Sequence, residues 1–444
     1  MKYLVILYFV LLISCVTSQN VTHLQVVKNI SYKSNYQNIK IAEGEIFQTG
    51  PCEPSIAINP TNPKNIVAGS VLDGYHYSMD AGKTWKSGVL TSVLGVYGDP
   101  CLLTNAKGDF FYLHLSNPDN LAYASSDFLN QIVIHRSQDG GKNWNQGYGI
   151  GYNSPKQQDK AWAICHPKTG EIYVTWTEFD KYASKNKKDK SRIRFAKSSD
   201  NGVHFSKAIS ISDLEGDALD DDNTTEGAVP AVDLDGNIYV TWAWNKQLYF
   251  DKSFDNGLSW HQDKILTDQP GGWAQNIPGI GRCNGMPVTV VDVSNSTYSG
   301  TIYVNWTDQR NGKNNTDVFL MKSSDQGLTW SPPLKVNQDK TRSHQFFTWM
   351  AVDAVTGYIY IVYYDRSRYK DNKVDVVLAV SKDGGNHFTN EIISDKPFTP
   401  ATDVFFGDYN NISAYNGVVR PIWTRYDTGE LSIWTALINE KTNR

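Results

Sequence analysis

The chain has almost no surplus of charge: 42 Lys and Arg stand against 46 Asp and Glu, a formal net of −4. That balance argues against a protein built to grip nucleic acid or another polyanion, and it implies no basic partner. Cysteine is scarce, five in 444 residues. With no C-x-x-C pair and no His/Cys cluster, no metal cofactor of the zinc type is predicted. Past the first residues, no apolar run is long enough to span a bilayer. The one apolar run opens the chain. MKYLVILYFVLLISCVTSQ joins a single Lys to apolar residues from Tyr3 to Ile13 and then to small ones, the pattern of a secretory signal peptide over residues 1–18. Val16 and Ser18 suit cleavage before Gln19, while Leu12-Ile13-Ser14-Cys15 also fits a lipobox that would lipidate Cys15 and anchor the protein to a membrane. The expectation is an exported protein, secreted or, on the lipobox reading, a periplasmic or outer-membrane lipoprotein. Sequons at Asn20, Asn29, Asn223, Asn295, Asn305, Asn314 and Asn411 suit a glycosylated secreted chain. With Cys15 removed, Cys52, Cys101, Cys165 and Cys283 allow three disulfide pairings, and the sequence does not choose among them.

Aromatic residues are plentiful, with 13 Trp and 25 Tyr, which predicts a core rich in ring packing. One eight-residue phrase recurs six times: SMDAGKTW, SQDGGKNW, SSDNGVHF, SFDNGLSW, SSDQGLTW and SKDGGNHF, from Ser78, Ser137, Ser198, Ser253, Ser323 and Ser381. The copies are 59, 61, 55, 70 and 58 residues apart, a period that suits a four-stranded sheet with its loops. Five of the six follow an alternating β-branched run such as SRIRFAKS or DVVLAVS, the signature of a strand leading into a hairpin turn. In such a turn Asp accepts backbone N–H groups, Ser braces the bend and Gly takes a positive φ. The six Asp residues are therefore scaffold. Upstream of each copy lie a turn and an aromatic strand (GEIYVTWTE, GNIYVTWAW, GTIYVNWTD), and before that a further strand (SIAIN, WAICH, WMAVD). Strand, turn, strand, loop, strand, turn, strand is one propeller blade.

Six in-phase Ser-x-Asp-x-Gly-x-x-[Trp/Phe] phrases over almost the whole mature chain resemble the sialidase (neuraminidase) superfamily of Asp-box, or BNR-repeat, β-propellers. The resemblance implies an all-β fold with the propeller over residues 47–444. After the sixth phrase three more strands follow without a box, in FFGDYNNISAY, GVVRPIWTRYD and ELSIWTALI. A propeller leaves no open edge, so residues 19–46, through THLQVV or NIKIAEG, are expected to supply the missing outer strand. That makes seven blades; six with a C-terminal appendage is the alternative.

Alternating strand directions put the boxes and the first turns on one face. The opposite face collects the segments leading into each innermost strand and the ends of each second strand. In the resembled family that second face holds the ligand. The leading segments carry Glu53, Asp99, Asp159, Lys160, Arg282, His344, Asp408 and Tyr409; the second-strand ends carry Glu178, Asp308, Tyr364, Asp365, Arg366 and Arg425. Converging on one axial mouth, they would offer what glycoside hydrolysis needs: an acid for the leaving oxygen, a base or nucleophile, and aromatic walls. Glu53, Asp99 and Asp159 are the candidate catalytic carboxylates, Tyr364 and Tyr409 the candidate Tyr nucleophiles. Lys160, Glu178, Arg282, Asp308, His344, Asp365, Arg366, Asp408 and Arg425 are candidate binding groups, with Arg282 and Arg366 placed to orient an anionic sugar. An acidic loop at 214–227 and a basic one at 182–192 fall on the same rim, and clustered Asp oxygens in the first would suit Ca²⁺. No Arg precedes Arg136, and Glu53-Pro54-Ser55 stands where the family's Arg-Ile-Pro is expected. The sequence thus points to a glycan-active hydrolase, monomeric, without strict exo-sialidase character. A non-catalytic glycan- or protein-binding propeller and a polysaccharide lyase are the rivals.

Overall fold

A computed structural model describes residues 34–45 and 50–440. The expected signal segment, Cys15 and the sequons at Asn20 and Asn29 lie outside these. No helix among the described residues is long and apolar enough to cross a membrane.

Seven antiparallel sheets form the fold, six of them built from four consecutive strands. Blades I to VI span residues 55–89, 101–150, 157–210, 226–268, 288–335 and 345–392. Blade VII takes Asn411–Tyr415, Val418–Asp427 and Glu430–Ala436, and its outer strand is Asn38–Glu45 from the other end of the chain. NIKIAEG is therefore the closing strand, and the six-bladed alternative is overturned. Innermost strands contact one another in sequence, I to VII and back to I, so the ring is closed.

The aromatic second strands account for the core. Ile172–Phe179, Ile302–Asp308 and Ile359–Asp365 are buried along their whole length. Trp176, Trp242, Trp306 and Trp423 are fully buried, each wedged where truncation to Ala would cost about 3–5 kcal/mol. Outer strands of the first six blades are short, with exposed and charged edges such as Lys86–Val89 and Lys264–Asp268, which discourages edge-to-edge pairing.

The repeated phrases are turns on the face of the first hairpins. In every copy the Ser hydroxyl donates to the Asp carboxylate and accepts the Gly N–H, as at Ser253 with Asp255 (2.8 Å) and Gly257 (2.9 Å). Ser259 holds the Asp255 carboxyl down to about 2. Five of the six turns are also joints to the preceding blade. Lys197 donates to the Asn256 carbonyl (2.8 Å), Lys252 to that of Gln326 (2.7 Å) and Lys322 to that of Gly384 (2.7 Å). Asn65 reaches the Gly140 carbonyl, and buried Arg420 of blade VII reaches that of Ala81 in blade I. Position four of the turn is thus clasped from the blade before it.

Cys52, Cys101, Cys165 and Cys283 are all free and buried, so none of the three pairings forms. Among the sequons, Asn305 and Asn411 are buried in the folded chain, whereas Asn223, Asn295 and Asn314 are exposed.

Candidate active site

The segments leading into the innermost strands share a backbone device. Glu53, Asp99 and Lys160 take left-handed φ values of 49°, 52° and 51°, each two residues before the first or resumed strand pairing, at Ser55, Cys101 and Trp162. Gly227 (72°) and Phe347 (50°) occupy the same step in blades IV and VI. A bulge there re-aims the side chain and interrupts the alternation. A residue with a Cβ holds such a φ at a cost of about 1–3 kcal/mol, which surrounding contacts must offset. Three successive blades accept that cost with an ionisable residue.

The result is a cleft of about 240 Å³ at the axis, lined by Glu53, Asp99, Asp159, Lys160, Arg282 and Asp408, with Tyr97, Tyr123, Tyr182 and Phe405 as walls. The Lys160 ammonium is the hub: 2.7 Å from Asp408, 3.4 Å from Asp99 and 3.9 Å from Glu53. The backbone N–H of Lys160 donates to the Asp159 carboxylate at 2.8 Å. Arg282 bridges Asp408 (2.8 Å) and Asp220 (3.0 Å). The Asp408 N–H donates to Glu53 (3.1 Å), and Gly407 permits that approach, since a Cβ there would lie 2.9 Å from Glu53.

The carboxyls are driven in opposite directions. Burial, with the Asp99 charge, pushes Glu53 well above the usual range. Burial also raises Asp159 despite Lys160 beside it, and raises Glu226 deeper in the wall. Asp408 is held below its ordinary value, because Lys160 and Arg282 outweigh its burial. Neutral and ionised carboxyl groups side by side are the arrangement that acid–base chemistry uses.

Of the residues named from sequence, Glu53, Asp99, Asp159, Lys160, Arg282 and Asp408 meet at the cleft. Tyr409 lies beneath it in a floor of rings, 5.0 Å from Trp162, which is itself 4.2 Å from Trp349. Burial, Asp99 and Glu53 raise the Tyr409 phenol, the wrong direction for a nucleophile. Tyr364 is not in the cleft: it is a core residue packed on Phe346, Phe398 and Phe406, with its hydroxyl donated to the Thr424 carbonyl. The second-strand ends are turned aside by lateral partners. Glu178 pairs with Arg192 (3.0 Å), Asp308 with Arg310 (2.6 Å) and Arg425 with Asp427 (2.6 Å). Asp365 accepts Gln345 and Ser367, and burial lowers His344 to about 4 while Thr316 holds its ring. Arg366 stacks on Phe346, donates to the Pro278 carbonyl and is not part of the cleft lining.

The two charged loops do meet at the rim: Tyr182 donates to Asp220 (2.6 Å) and Arg192 to Glu215 (2.9 Å). Tyr182 in the cleft wall and Asp220 on Arg282 are rim residues that spacing alone missed, their only signal being membership of those loops. Asp217 serves the loop's own turn by accepting from Thr224, whereas Asp222 accepts the Ala274 N–H from a later loop and pairs with Lys246 (3.2 Å). Beyond Arg282 lies a second hollow of about 430 Å³, lined by Trp273, Gln275, Asn276 and Asn284. A larger hollow, about 550 Å³, opens at the opposite end of the axis among Ile58, Val232, Val291 and Val352 and carries no acidic or basic side chain, so size alone would misplace the chemistry.

No family model matches the chain, and no curated protein matches it in sequence. Solved structures do. An ulvan lyase of a polysaccharide-lyase family aligns over 91% of this chain and 96% of its own, at 14% identity and a TM-score of 0.55. A protein of unknown function from Dyadobacter fermentans aligns over 92% and 99% (13% identity, TM-score 0.50). The NanB sialidase from Streptococcus pneumoniae aligns over 92% and 98% (10% identity, TM-score 0.50). The fold is that of a sialidase-like seven-bladed propeller.

Proposed function

We propose that the protein is an exported glycan-active hydrolase working at the axial cleft. The observation that carries the reading is the convergence there of Glu53, Asp99, Asp159 and Asp408, with some carboxyls driven to the neutral and one to the ionised form. Asp159 would donate its proton to the glycosidic oxygen as the bond from the anomeric carbon breaks. Asp408, kept ionised by Lys160 and Arg282, would stabilise the positive charge that develops on the sugar. Water would add to the anomeric carbon and give its proton to Asp99. Tyr97, Tyr123 and Tyr182 offer the ring surfaces a sugar packs on.

The lyase alternative is less well supported. Eliminating across a uronate is favoured by a cation on the substrate carboxylate, and both cations of the cleft are already paired. Localisation outside the cytoplasm rests on the apolar opening segment.

The test is release of new reducing ends from a panel of oligo- and polysaccharides between about pH 4 and 8, with Asp159→Asn expected to lower kcat about 10²–10⁴-fold. No turnover on the panel, or an undiminished rate in Asp159→Asn, would sink the reading.

A further inference from the structure

The positive charge of the cleft is fully committed. Lys160 is buried among Asp408, Asp99 and Glu53. Arg282, the other cation lining the cleft, is held by Asp220 on one side and Asp408 on the other. Four carboxyl groups line the cleft, and a fifth, Asp220, stands at its rim. A ligand carboxylate or sulfate is held most strongly by an unspent guanidinium or ammonium at bonding distance. Here it would have to displace an aspartate from Arg282 or Lys160 and then lie beside the acid it displaced, an unfavourable like-charge contact in a desolvated site. Sugar hydroxyls have no such conflict: they donate to carboxylates and accept from guanidinium N–H groups. The second hollow shares Arg282 and has no other cation in its lining, so a neighbouring unit meets the same conditions.

We propose that the axial cleft selects an uncharged glycan unit and rejects units that carry a carboxylate or sulfate. The inference rests on the glycan reading above, though not on hydrolysis. The expectation that Arg282 and Arg366 orient an anionic sugar is thereby reversed.

The experiment uses the full chain on an array that carries each neutral glycan beside its sialylated, uronate-containing and sulfated counterparts, with hits measured by calorimetry. The neutral member is expected to bind about tenfold or more tightly than its charged counterpart. Asp220→Asn, which frees one side of Arg282, should narrow that gap severalfold, and Asp220→Glu should keep it; melting curves of both variants check folding. Tighter binding of charged members by the wild type, or a gap that both variants leave unmoved, overturns the inference even if hydrolysis stands. Neutral glycans bound but not cleaved would uphold charge selection and sink hydrolysis. An array with no glycan retained overturns both.

Discussion

Gly257 closes the blade IV turn at φ +77°, and a Cβ there would lie 2.4 Å from Cε1 and 2.5 Å from Cζ of Phe195 in blade III. Gly170 has nearly the same φ, +76°, yet a Cβ there meets nothing within 4 Å. Alanine at either site therefore shares one cost and differs in another. The shared cost is the left-handed backbone, about 1–2 kcal/mol for a residue with a Cβ. The difference is steric. Phe195 is buried against Tyr173 and Trp260, at 6.3 and 5.0 Å between ring centroids, so its ring has no room to retreat. Forcing an extra methyl into such packing costs about 1–3 kcal/mol. Gly170→Ala should thus lose about 1–2 kcal/mol and Gly257→Ala about 2–5 kcal/mol. Urea denaturation followed by tryptophan fluorescence compares the two midpoints at a common slope. Equal shifts would refute the reasoning: the glycine would then serve only its own turn, and the turn would not be a joint between blades.

Three further outcomes are expected. Arg420→Met removes charge-assisted hydrogen bonds from blade VII to the Ala81 carbonyl and should cost about 3 kcal/mol in the same assay, whereas a loss within error would show that the closure seam does not depend on them. Burial lowers His76 from 6.5 to about 4, so the unfolded chain binds a proton that the folded chain refuses. Stability from this group is complete above pH 6.5 and declines by about 3 kcal/mol as pH falls to 4; the wild-type-minus-His76→Phe difference in midpoint should follow that slope, and a flat difference would contradict it. Cys101 is pushed up to about 12 by burial, and the other three described thiols are buried with it. A thiol reagent at neutral pH should leave all four unmodified until denaturant is added, and rapid labelling of the native chain would show the core to be open.

The fold was legible because it repeats. Each Ser-x-Asp-x-Gly turn and each aromatic second strand restates the same packing, and the unpaired edge of blade VII required a strand that only NIKIAEG or THLQVV could give. The site was legible by location but not by orientation. Glu53, Asp99 and Lys160 reach the axis because the backbone turns left-handed at one step, and nothing in residue type announces that step: Phe347 takes it too, and packs as core. Glu178, Asp308 and Arg425 look equivalent in sequence, yet each stands near a lateral partner that holds it away from the mouth. Asp220 and Tyr182 come from loops without periodicity, where spacing has nothing to say about contact.

The outer strand of blade VII comes first among the described strands, and its partner Glu430–Ala436 is among the last of them. Synthesis must therefore pass Ala436 before the circle can be latched. Until then six blades wait with the seam ajar, and the mouth groups from blade I (Glu53) and blade VII (Asp408), whose contact lies beside that seam, cannot meet. Competence at the axle and closure of the circle would then arrive in a single late event, so a nascent chain cut short by even its last hairpin would have neither.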